Sequence, residues 1–364
     1  MQIPTKTKRF LRFSETLLKW NKEKNKRQMP WKGEKDPFKI WLSEIILQQT
    51  RVEQGIKYYT NFIKAFPDVH KLAKAPDQKV YKLWEGLGYY TRCRNLIGTA
   101  RYISRDLKGK FPSHYEQIKN LKGVGPYTAA AISSFAFDEP RAVVDGNVFR
   151  VLARIFKIDT AIDSTEGKKF FTRFANELLD KGQPGLYNQA IMDFGATICK
   201  PVPACEQCPF IKYCKALQAG KIFSLPVKGK KIAIKKRWFN YIVFEYKGRF
   251  AIRQRIEKDI WYHLFEFLLI ESNSILGKKK IVKELQVKGW PGKNNFEKIS
   301  FSSVFRQKLS HQLIEGRFAI IKLRQKPKLT DVIWVKKNEM VNYAFPKFIN
   351  QYLFNENRTG KDGL

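Results

Sequence analysis

The run SHYEQIKNLKGVGPYTAAAISSFAF, residues 113–137, decides the fold of the first half of the chain. Two stretches with helical spacing of apolar residues flank the short loop KGVG. Gly123 and Gly125 allow backbone conformations that other residues avoid, and Pro126 suits the first turn of a helix. The loop amides, including that of Val124, can then bind a phosphate. The run predicts a helix-hairpin-helix DNA-binding element at about residues 114–137, with an ordinary interhelical turn as the alternative.

Composition points to the same kind of partner. The 364 residues include 69 Lys and Arg against 33 Asp and Glu, a net charge of +36. Such an excess favours a polyanion, nucleic acid ahead of an anionic membrane surface. No apolar run reaches the ~18 residues of a membrane span, and the N-terminal run MQIPTKTKRFLRF lacks a signal-peptide core. We therefore expect a soluble, cytoplasmic, DNA-associated protein.

The pattern changes along the chain. Residues 1–220 show helical periodicity, as in IWLSEIILQQTRVEQGIKYYTNFI, and predict an all-α domain. Residues 221–236 combine a proline, a glycine and several lysines, Lys230 and Lys231 among them, and predict a basic linker. Residues 237–364 contain short β-rich runs such as WFNYIVFEY, RFAIRQR and GRFAIIKLR, and predict an α+β domain. The turn KGR is predicted to join the first two of these runs.

Two carboxylates are candidates for catalytic residues. Glu44 lies in a mainly apolar helix, SEIILQQT, where burial would raise its pKa and let it act as a general acid. Asp145, in VVDGNVFRVLARIF, is placed to cap a helix, which would hold a negative charge rigidly. Cleavage of a glycosidic bond needs two carboxylates with such different duties. The ordinary alternatives are a solvated glutamate and a purely structural cap.

Four of the five cysteines lie close together, at Cys199, Cys205, Cys208 and Cys214. This clustering suits a metal site better than disulfides. The spacing and the Pro that follows Cys208 favour a 4Fe-4S cluster, with zinc as the alternative. Cys93 has no partner in the sequence and is predicted to be a packing residue.

These motifs occur together, in this order, in helix-hairpin-helix glycosylases that carry an iron–sulfur loop. Over nearly its whole length the chain resembles adenine DNA glycosylases of the MutY type. The matching runs are MPWKGEKDPFKIWLSEIILQQTRV, WEGLGYYTRCRNL, LKGVGPYTAAAI, VVDGNVFRVLAR and YNQAIMDFGATIC. The resemblance implies a monomeric enzyme of base excision repair that removes adenine mispaired with 8-oxoguanine, or with guanine, from double-stranded DNA. It also implies a 4Fe-4S cluster in residues 199–214.

The resemblance assigns catalytic roles. Glu44 would protonate adenine at N7, Asp145 would stabilise the cationic sugar and Asn147 would help to position it. Tyr127 stands where the related endonuclease III-type lyases carry a lysine that forms a Schiff base. A phenol cannot form one, so the expected enzyme is monofunctional and leaves an abasic site.

Further positions follow from the same resemblance. Adenine must leave the base stack to be cut, and the walls of its pocket would be Trp31, Lys32, Leu47, Val52, Gln189 and Met192. Gln49 and Thr50 would lie beside the lesion, and Tyr89 would wedge into the duplex. Lys32 replaces the arginine that is common in the family, and Lys is the weaker bidentate donor.

Residues 237–364 resemble the Nudix-like lesion-recognition domain of this family, through IWYHLFEFLLIE, KLSHQLIEGRF and YAFPKF. They lack the glutamate-rich helix that Nudix hydrolases use, so no phosphohydrolase activity is expected. Ser310 and His311 match the lesion-reading loop, and Leu309 replaces its usual phenylalanine. The five-residue gap between Cys199 and Cys205 is one residue shorter than the family's usual spacing.

Two other classes of function stay open from the sequence. One is a related glycosylase for thymine or uracil mismatches, or a lyase for oxidised pyrimidines, and Tyr127 counts against the lyase. The other is a DNA-binding protein without enzymatic activity. The presence of both Glu44 and Asp145 in matching contexts argues against it.

Overall fold

The computed structural model describes residues 8–229 and 233–359. Lys230 and Lys231 of the predicted linker therefore lie outside the described residues, as do both chain ends. The chain forms two compact units. The first comprises Met1–Ala75 and Arg94–Lys231, and the second Pro76–Cys93 and Ile232–Leu364.

The first part of the chain, up to residue 218, is helical wherever it is regular. Its α-helices are α1 (Lys8–Glu23), α2 (Pro37–Leu47), α3 (Val52–Ala65), α4 (Val69–Lys74), α5 (Asp77–Trp84), α6 (Tyr90–Arg105), α7 (Tyr115–Lys119), α8 (Pro126–Phe137), α9 (Gly146–Phe156), α10 (Thr165–Leu178), α11 (Pro184–Thr197) and α12 (Lys215–Gln218). The predicted helical fold of this region is confirmed.

Local sequence sets where the helices of the first unit begin. Asp36 caps α2 by accepting a 2.9 Å hydrogen bond from the Phe38 amide, and Pro37 occupies the first turn. Gly125 precedes Pro126 at the start of α8. These starts leave the first-turn amides without carbonyl partners within the helix, as at every helix N-terminus.

Helices α9 and α11 pack closely in the core of the first unit. Gly195 makes this approach possible, since a Cβ there would lie 2.7 Å from the Cβ of Asn147. The fully buried aromatic side chains around these helices include Phe171 and Phe194. Val148 and Asn147, at the start of α9, are therefore held against α11 by the backbone as well as by side chains.

The segment that follows the cysteine cluster lies against the first unit rather than in solvent. Within the predicted linker, Ile222 and Leu225 are buried. The Arg154 Nε donates to the Leu225 carbonyl at 3.1 Å, and the Val227 carbonyl accepts from the Ile162 amide at 3.0 Å. The last residues of the predicted linker, from Lys235, already belong to the first strand of the second unit.

The second unit contains a mixed sheet. Its strands are β1 (Lys235–Tyr246), β2 (Arg249–Gln254), β3 (Phe265–Glu266), β4 (Leu268–Ser272), β5 (Phe296–Phe301), β6 (Phe305–Lys308), β7 (Gln312–Leu323) and β8 (Ile333–Lys336). The main path runs β3-β2-β1-β7-β5, with β4 on β1, β6 on β7 and β8 on β2. The β1–β7 pair is parallel, and the other described pairs are antiparallel.

The turn predicted between the first two β-rich runs is a two-residue hairpin. Lys247 and Gly248 both have positive φ, 48° and 69°, which matches the twist of a tight β-hairpin. The second unit also contains α13 (Lys278–Val287) and α14 (Lys347–Thr359). Strands and helices together make this region α+β, as predicted.

One helical segment from the middle of the first half belongs to the second unit. In Pro76–Cys93, the Lys82 Nζ donates to the Tyr343 carbonyl at 3.0 Å. The Glu85 carboxylate accepts from the Phe345 amide at 2.7 Å. Periodicity alone placed this segment in the all-α domain, because long-range contacts leave no local signal. No helix in the described residues is long and apolar enough to cross a membrane.

Candidate active site

A cleft of about 1230 Å³ opens in the first unit. The starts of helices α3, α8, α9 and α11 contribute to its walls, together with α2 and the loop that precedes it. The predicted catalytic and adenine-pocket residues all line this one cleft: Trp31, Lys32, Glu44, Leu47, Val52, Tyr127, Asp145, Asn147, Gln189 and Met192. The structure thus brings together positions from distant parts of the chain.

Glu44 is a buried acid on α2, with 6% of its surface exposed. Its neighbours Leu42, Ile45 and Ile46 are buried as well, because α2 is apolar on nearly all sides. The pKa of Glu44 is raised to about 7: burial raises it most, a hydrogen bond with Tyr127 lowers it, and the nearby charge of Asp145 raises it. A carboxyl group with this pKa can hold a proton and donate it near neutral pH.

Asp145 caps helix α9. Its Oδ1 accepts from the Val148 amide at 2.7 Å, and its Oδ2 accepts from the Asn147 Nδ2 at 2.8 Å. Burial raises its pKa, while these hydrogen bonds and the charge of Arg150 favour the ionised form and act in the opposite direction. The helix N-terminus also favours negative charge at this position. Asp145 is therefore a fixed carboxylate with several groups that stabilise its charge.

Asn147 connects Asp145 to the segment that carries the first clustered cysteine. Its Oδ1 accepts from the Arg150 Nη2 at 2.7 Å. The Arg150 Nε donates to the Cys199 carbonyl at 2.7 Å, and its Nη2 also donates to the Gly195 carbonyl at 2.8 Å. Asn147 therefore has both ends of its amide engaged, which fixes the orientation of the Asp145 carboxylate.

Tyr127 lies between the acid and the pocket wall. Its hydroxyl hydrogen-bonds with Glu44 and lies 4.0 Å from the Met192 sulfur. Burial, followed by the charges of Glu44 and Asp145, raises its pKa well above the ordinary phenol value. Tyr127 therefore stays a neutral phenol, able to donate a hydrogen bond to Glu44.

Two further residues of the predicted pocket, Trp31 and Leu47, pack against neighbouring residues of helix α3. Trp31 is buried and packs edge-on against Tyr59, with ring centroids 5.2 Å apart. Gly55 leaves room for Leu47, since a Cβ on Gly55 would lie 2.6 Å from the Leu47 Cδ2. These contacts give the cleft a firm apolar wall that can receive a flat base.

The helix-hairpin-helix loop borders the same cleft through Gly123 and Gly125. Gly123 has φ +82°, and a Cβ there would also meet Asn95, so the turn requires glycine. The Val124 side chain is buried, and its amide donates to the Leu121 carbonyl at 3.0 Å, so Val124 anchors the turn. Gly125, at the start of α8, is exposed.

The predicted lesion-contacting residues fall into two groups. Gln49 and Thr50 line the cleft, and Gln49 is exposed with φ +58°, an uncommon conformation for a residue with a side chain. Tyr89 and residues 309–311 belong to the second unit.

Within that unit the Tyr89 hydroxyl forms a hydrogen bond with the Ser310 hydroxyl. Tyr89 is 43% exposed, with φ +49°. Residues 309–311 form the tip of the β6–β7 hairpin, where the Leu309 amide donates to the Gln312 carbonyl at 2.7 Å. Ser310 and His311 are both exposed. The strand that follows begins at Gln312 and is longer than the β-rich run in the sequence suggested.

The four clustered cysteines lie in and around short 3₁₀ turns after α11, and all are free thiols. Their charges interact: the pKa of Cys208 is raised first by burial and then by Cys199, Cys214 and Cys205. The Arg154 Nη1 donates to the Cys199 Sγ at 3.8 Å. Four neighbouring thiols with an arginine at one sulfur fit thiolate ligation of a cluster. In the described part of the chain, no three His, Cys, Asp or Glu side chains form a group ready for a single metal ion. Cys93 is fully buried, as predicted for a packing residue.

Sequence reasoning missed two residues at the cleft. Gln48 lines it and donates from Nε2 to the Thr128 Oγ1 at 3.2 Å. Asp193 lies behind the wall and binds both Lys32 and Gln189. The sequence did contain a signal for Asp193. Like Glu44, it is an acidic residue in a mostly apolar helix, and it follows Gln189 by four residues, a spacing that puts both side chains on one face of the helix.

Comparison with known proteins places this site in a family. Residues 42–177 match the HhH-GPD superfamily base excision DNA repair protein. The adenine DNA glycosylase of Buchnera aphidicola subsp. Baizongia pistaciae is 35% identical over 303 residues, which cover 82% of this chain and 83% of that protein. The chain belongs to the adenine DNA glycosylases. It is therefore a base excision repair enzyme, a hydrolase acting on N-glycosyl bonds, and the resemblance found in the sequence is confirmed.

Other relatives match more than half of the chain. The human adenine DNA glycosylase is 41% identical over 216 residues, covering 57% of this adenine DNA glycosylase and 39% of the human protein. A thermostable thymine-DNA glycosylase superimposes with a TM-score of 0.54 at 30% identity, over 58% of this chain and 98% of its own. A trapped endonuclease III–DNA covalent intermediate, at 20% identity and a TM-score of 0.51, shows the same fold.

Proposed function

We propose that this adenine DNA glycosylase removes adenine opposite 8-oxoguanine, or opposite guanine, and stops at the abasic site. The observation that carries the proposal is the presence of Glu44, Asp145 and Tyr127 in one cleft. Protonated Glu44 donates a proton to N7 of the flipped adenine, which makes the base a better leaving group. Ionised Asp145 stabilises the oxocarbenium-like sugar that the departing base leaves behind.

The cleft supports a monofunctional reaction because its lysines are engaged. Lys32 and Lys35 line it among the described residues. The Lys32 ammonium is 3.0 Å from the Asp193 carboxylate and donates to the Arg27 carbonyl at 2.8 Å. Lys35 pairs with Asp138 at 3.0 Å. Each amino group is engaged in an ion pair, so neither lysine offers a free amine to attack the sugar and form a Schiff base.

Residues 237–364 are proposed to be a Nudix-like lesion-recognition domain, joined by the linker 221–236 to a glycosylase domain at residues 1–220. The Tyr89–Ser310 hydrogen bond supports this role, since it ties the predicted wedge to the predicted reading loop. Helix α13 has the sequence KKKIVKELQV, with a single glutamate, so it cannot supply the acidic metal site of a phosphohydrolase. Ser310 would hydrogen-bond the face of 8-oxoguanine that undamaged guanine lacks.

A 4Fe-4S cluster is proposed at Cys199, Cys205, Cys208 and Cys214. When bound, the cluster supplies a covalent cross-link for the loop 199–214, and it has no redox part in hydrolysis of an N-glycosyl bond. Arg154 would face it with a positive charge at Cys199. Purified protein should contain about four iron atoms per chain and absorb near ~400 nm. Stoichiometric zinc without iron would refute the assignment.

A panel of duplexes tests the function. Adenine is placed opposite 8-oxoguanine, guanine or thymine, and strand breaks are measured with and without alkali. We expect base loss opposite 8-oxoguanine and guanine and breaks only after alkali. Breaks without alkali would contradict the monofunctional reaction, and equal rates opposite all three bases would contradict recognition of the lesion.

A further inference from the structure

Asp193 has no exposed side-chain surface and lies behind three residues that line the cleft, Arg27, Lys32 and Gln189. Each of its carboxylate oxygens accepts two hydrogen bonds. Oδ1 accepts from the Arg27 Nη1 at 2.9 Å and the Gln189 Nε2 at 3.0 Å. Oδ2 accepts from the Asn25 Nδ2 at 2.8 Å and the Lys32 Nζ at 3.0 Å. A buried carboxylate is stable only when it is compensated in this way.

This arrangement decides which way the Gln189 amide points. The Asp193 carboxylate forms ion pairs with Arg27 and Lys32, and both of its oxygens act as hydrogen-bond acceptors. The Gln189 amino group must therefore face Asp193, because its carbonyl oxygen would be repelled there. No described residue donates a recorded hydrogen bond to the Gln189 Oε1. The oxygen is therefore left to the cleft that Gln189 lines.

An acceptor in the cleft discriminates between purines at position 6. Adenine carries an amino group there, which donates, whereas guanine and hypoxanthine carry a carbonyl oxygen, which accepts. A base with a carbonyl at this position would meet the Gln189 oxygen without a hydrogen between them. An unpaired polar contact in a buried site costs more than a pair contributes.

We infer that Asp193 is a positioning residue for base specificity: by holding the Gln189 amino group, it presents the Gln189 oxygen to the 6-amino group of adenine and excludes purines with a 6-carbonyl group. The inference deepens the adenine-excision activity and rests on the proposed placement of adenine against Gln189. Replacing Asp193 by Asn would remove this constraint, because an Asn amide can donate to the Gln189 oxygen and let the Gln189 amino group turn to the cleft.

The test compares single-turnover excision of adenine and of hypoxanthine from otherwise identical duplexes, with 8-oxoguanine and then with guanine opposite. The variants are Asp193→Asn and, as a matched control on the same helix, Thr197→Val. Thr197 donates to the Asp193 backbone carbonyl at 2.8 Å and does not touch its carboxylate. We expect Asp193→Asn to lower the adenine-to-hypoxanthine rate ratio by at least about tenfold, and the control to leave it unchanged.

A folded Asp193→Asn enzyme with the wild-type ratio would overturn the inference, even if both rates fell, because a purely structural role would slow both bases alike. Where Asp193→Asn does not fold, Gln189→Leu decides. This variant keeps Asp193, Arg27 and Lys32 but removes the amide, and a wild-type ratio would show that its orientation is irrelevant. If the wild-type enzyme cleaves adenine opposite guanine only, the proposed lesion preference fails, while the ratio measured opposite guanine still decides this inference.

Discussion

Glu44 and Asp145 are two carboxylates in one cleft with opposite surroundings. Glu44 emerges from the side of the apolar helix α2, and the Tyr127 hydroxyl is its one recorded side-chain hydrogen-bond partner in the described structure. Asp145 stands at the start of α9, where the Val148 amide and the Asn147 side chain donate to it. Burial raises the pKa of both carboxyl groups, but at Asp145 hydrogen bonds and the charge of Arg150 lower the pKa and oppose this effect.

The difference teaches how a protein gives two similar groups different protonation states. At Glu44 burial outweighs the single hydrogen bond from Tyr127, so the group holds its proton near neutral pH and can serve as the acid. At Asp145 burial also raises the pKa, but several hydrogen bonds, the helix N-terminus and the charge of Arg150 act against that rise and stabilise the negative charge that a cation needs. Changes that exchange or weaken these surroundings should therefore affect excision in a graded way.

The largest effect is expected for Glu44→Gln. The amide keeps the shape of the side chain but has no acidic proton for adenine N7, so the single-turnover rate of adenine excision should fall about 10³-fold. Glu53→Gln is the matched control, since it makes the same Glu-to-Gln change at an exposed position at the start of α3 and should retain the wild-type rate. Full activity of Glu44→Gln would remove the acid from the mechanism.

Asp145→Asn should cause the next largest loss, about 10²-fold. An asparagine can still accept from the Val148 amide and cap α9, so the change removes charge rather than structure. Asp138→Asn, another acid that lines the cleft, pairs with Lys35 in a largely exposed site and serves as the control. A lower melting temperature with an unchanged excision rate would make Asp145 a cap only.

The pH dependence tests the state of Glu44. Its pKa is raised to about 7, so its proton is present below that value and is lost above it. The excision rate should therefore be highest where Glu44 is protonated and Asp145 is still ionised, and it should fall by about tenfold per unit well above pH 7. The residual rate of Glu44→Gln should lack this decline. A wild-type rate that stayed constant up to pH 9 would show that another group supplies the proton.

Asn147→Leu should have a smaller effect, a fall of about fivefold to tenfold in the excision rate. The change leaves the Asp145 Oδ2 without the 2.8 Å donor and frees Arg150 from its partner at Asn147. The charge of Asp145 remains, but its orientation is no longer fixed. Asn147→Asp would distinguish orientation from charge, because it keeps the acceptor for Arg150. If Asn147→Leu excised adenine at the wild-type rate, Asn147 would be structural.

The smallest effect is expected at the hairpin tip of the second unit. Ser310→Ala should lower the preference for 8-oxoguanine over guanine opposite the adenine by about threefold to fivefold, since one hydrogen bond contributes about 1 kcal/mol. Tyr89→Phe removes the same Tyr89–Ser310 hydrogen bond while keeping the aromatic ring that is proposed to wedge into the duplex. An unchanged preference in Ser310→Ala would assign lesion reading to other residues.

The sequence by itself determined the features whose causes are local. Glycines and a proline at fixed spacing define the turn before α8, and an aspartate before an apolar repeat caps α9. Two β-rich runs joined by the turn KGR predicted the first hairpin of the second unit. Five runs of sequence resemble adenine DNA glycosylases, and this resemblance predicted the residues that share the cleft.

Only the tertiary structure decided which partners those residues have. Lys32 binds Asp193 across 161 positions of sequence, and Glu85 binds the Phe345 amide across 260. The first contact orients the pocket wall, and the second ties residues 76–93 to the sheet of the second unit. Turns and caps are set by backbone preferences within a few residues, whereas burial and ion pairing depend on which distant segments pack together. The exposure of Glu44 and the direction of the Gln189 amide therefore needed the folded chain.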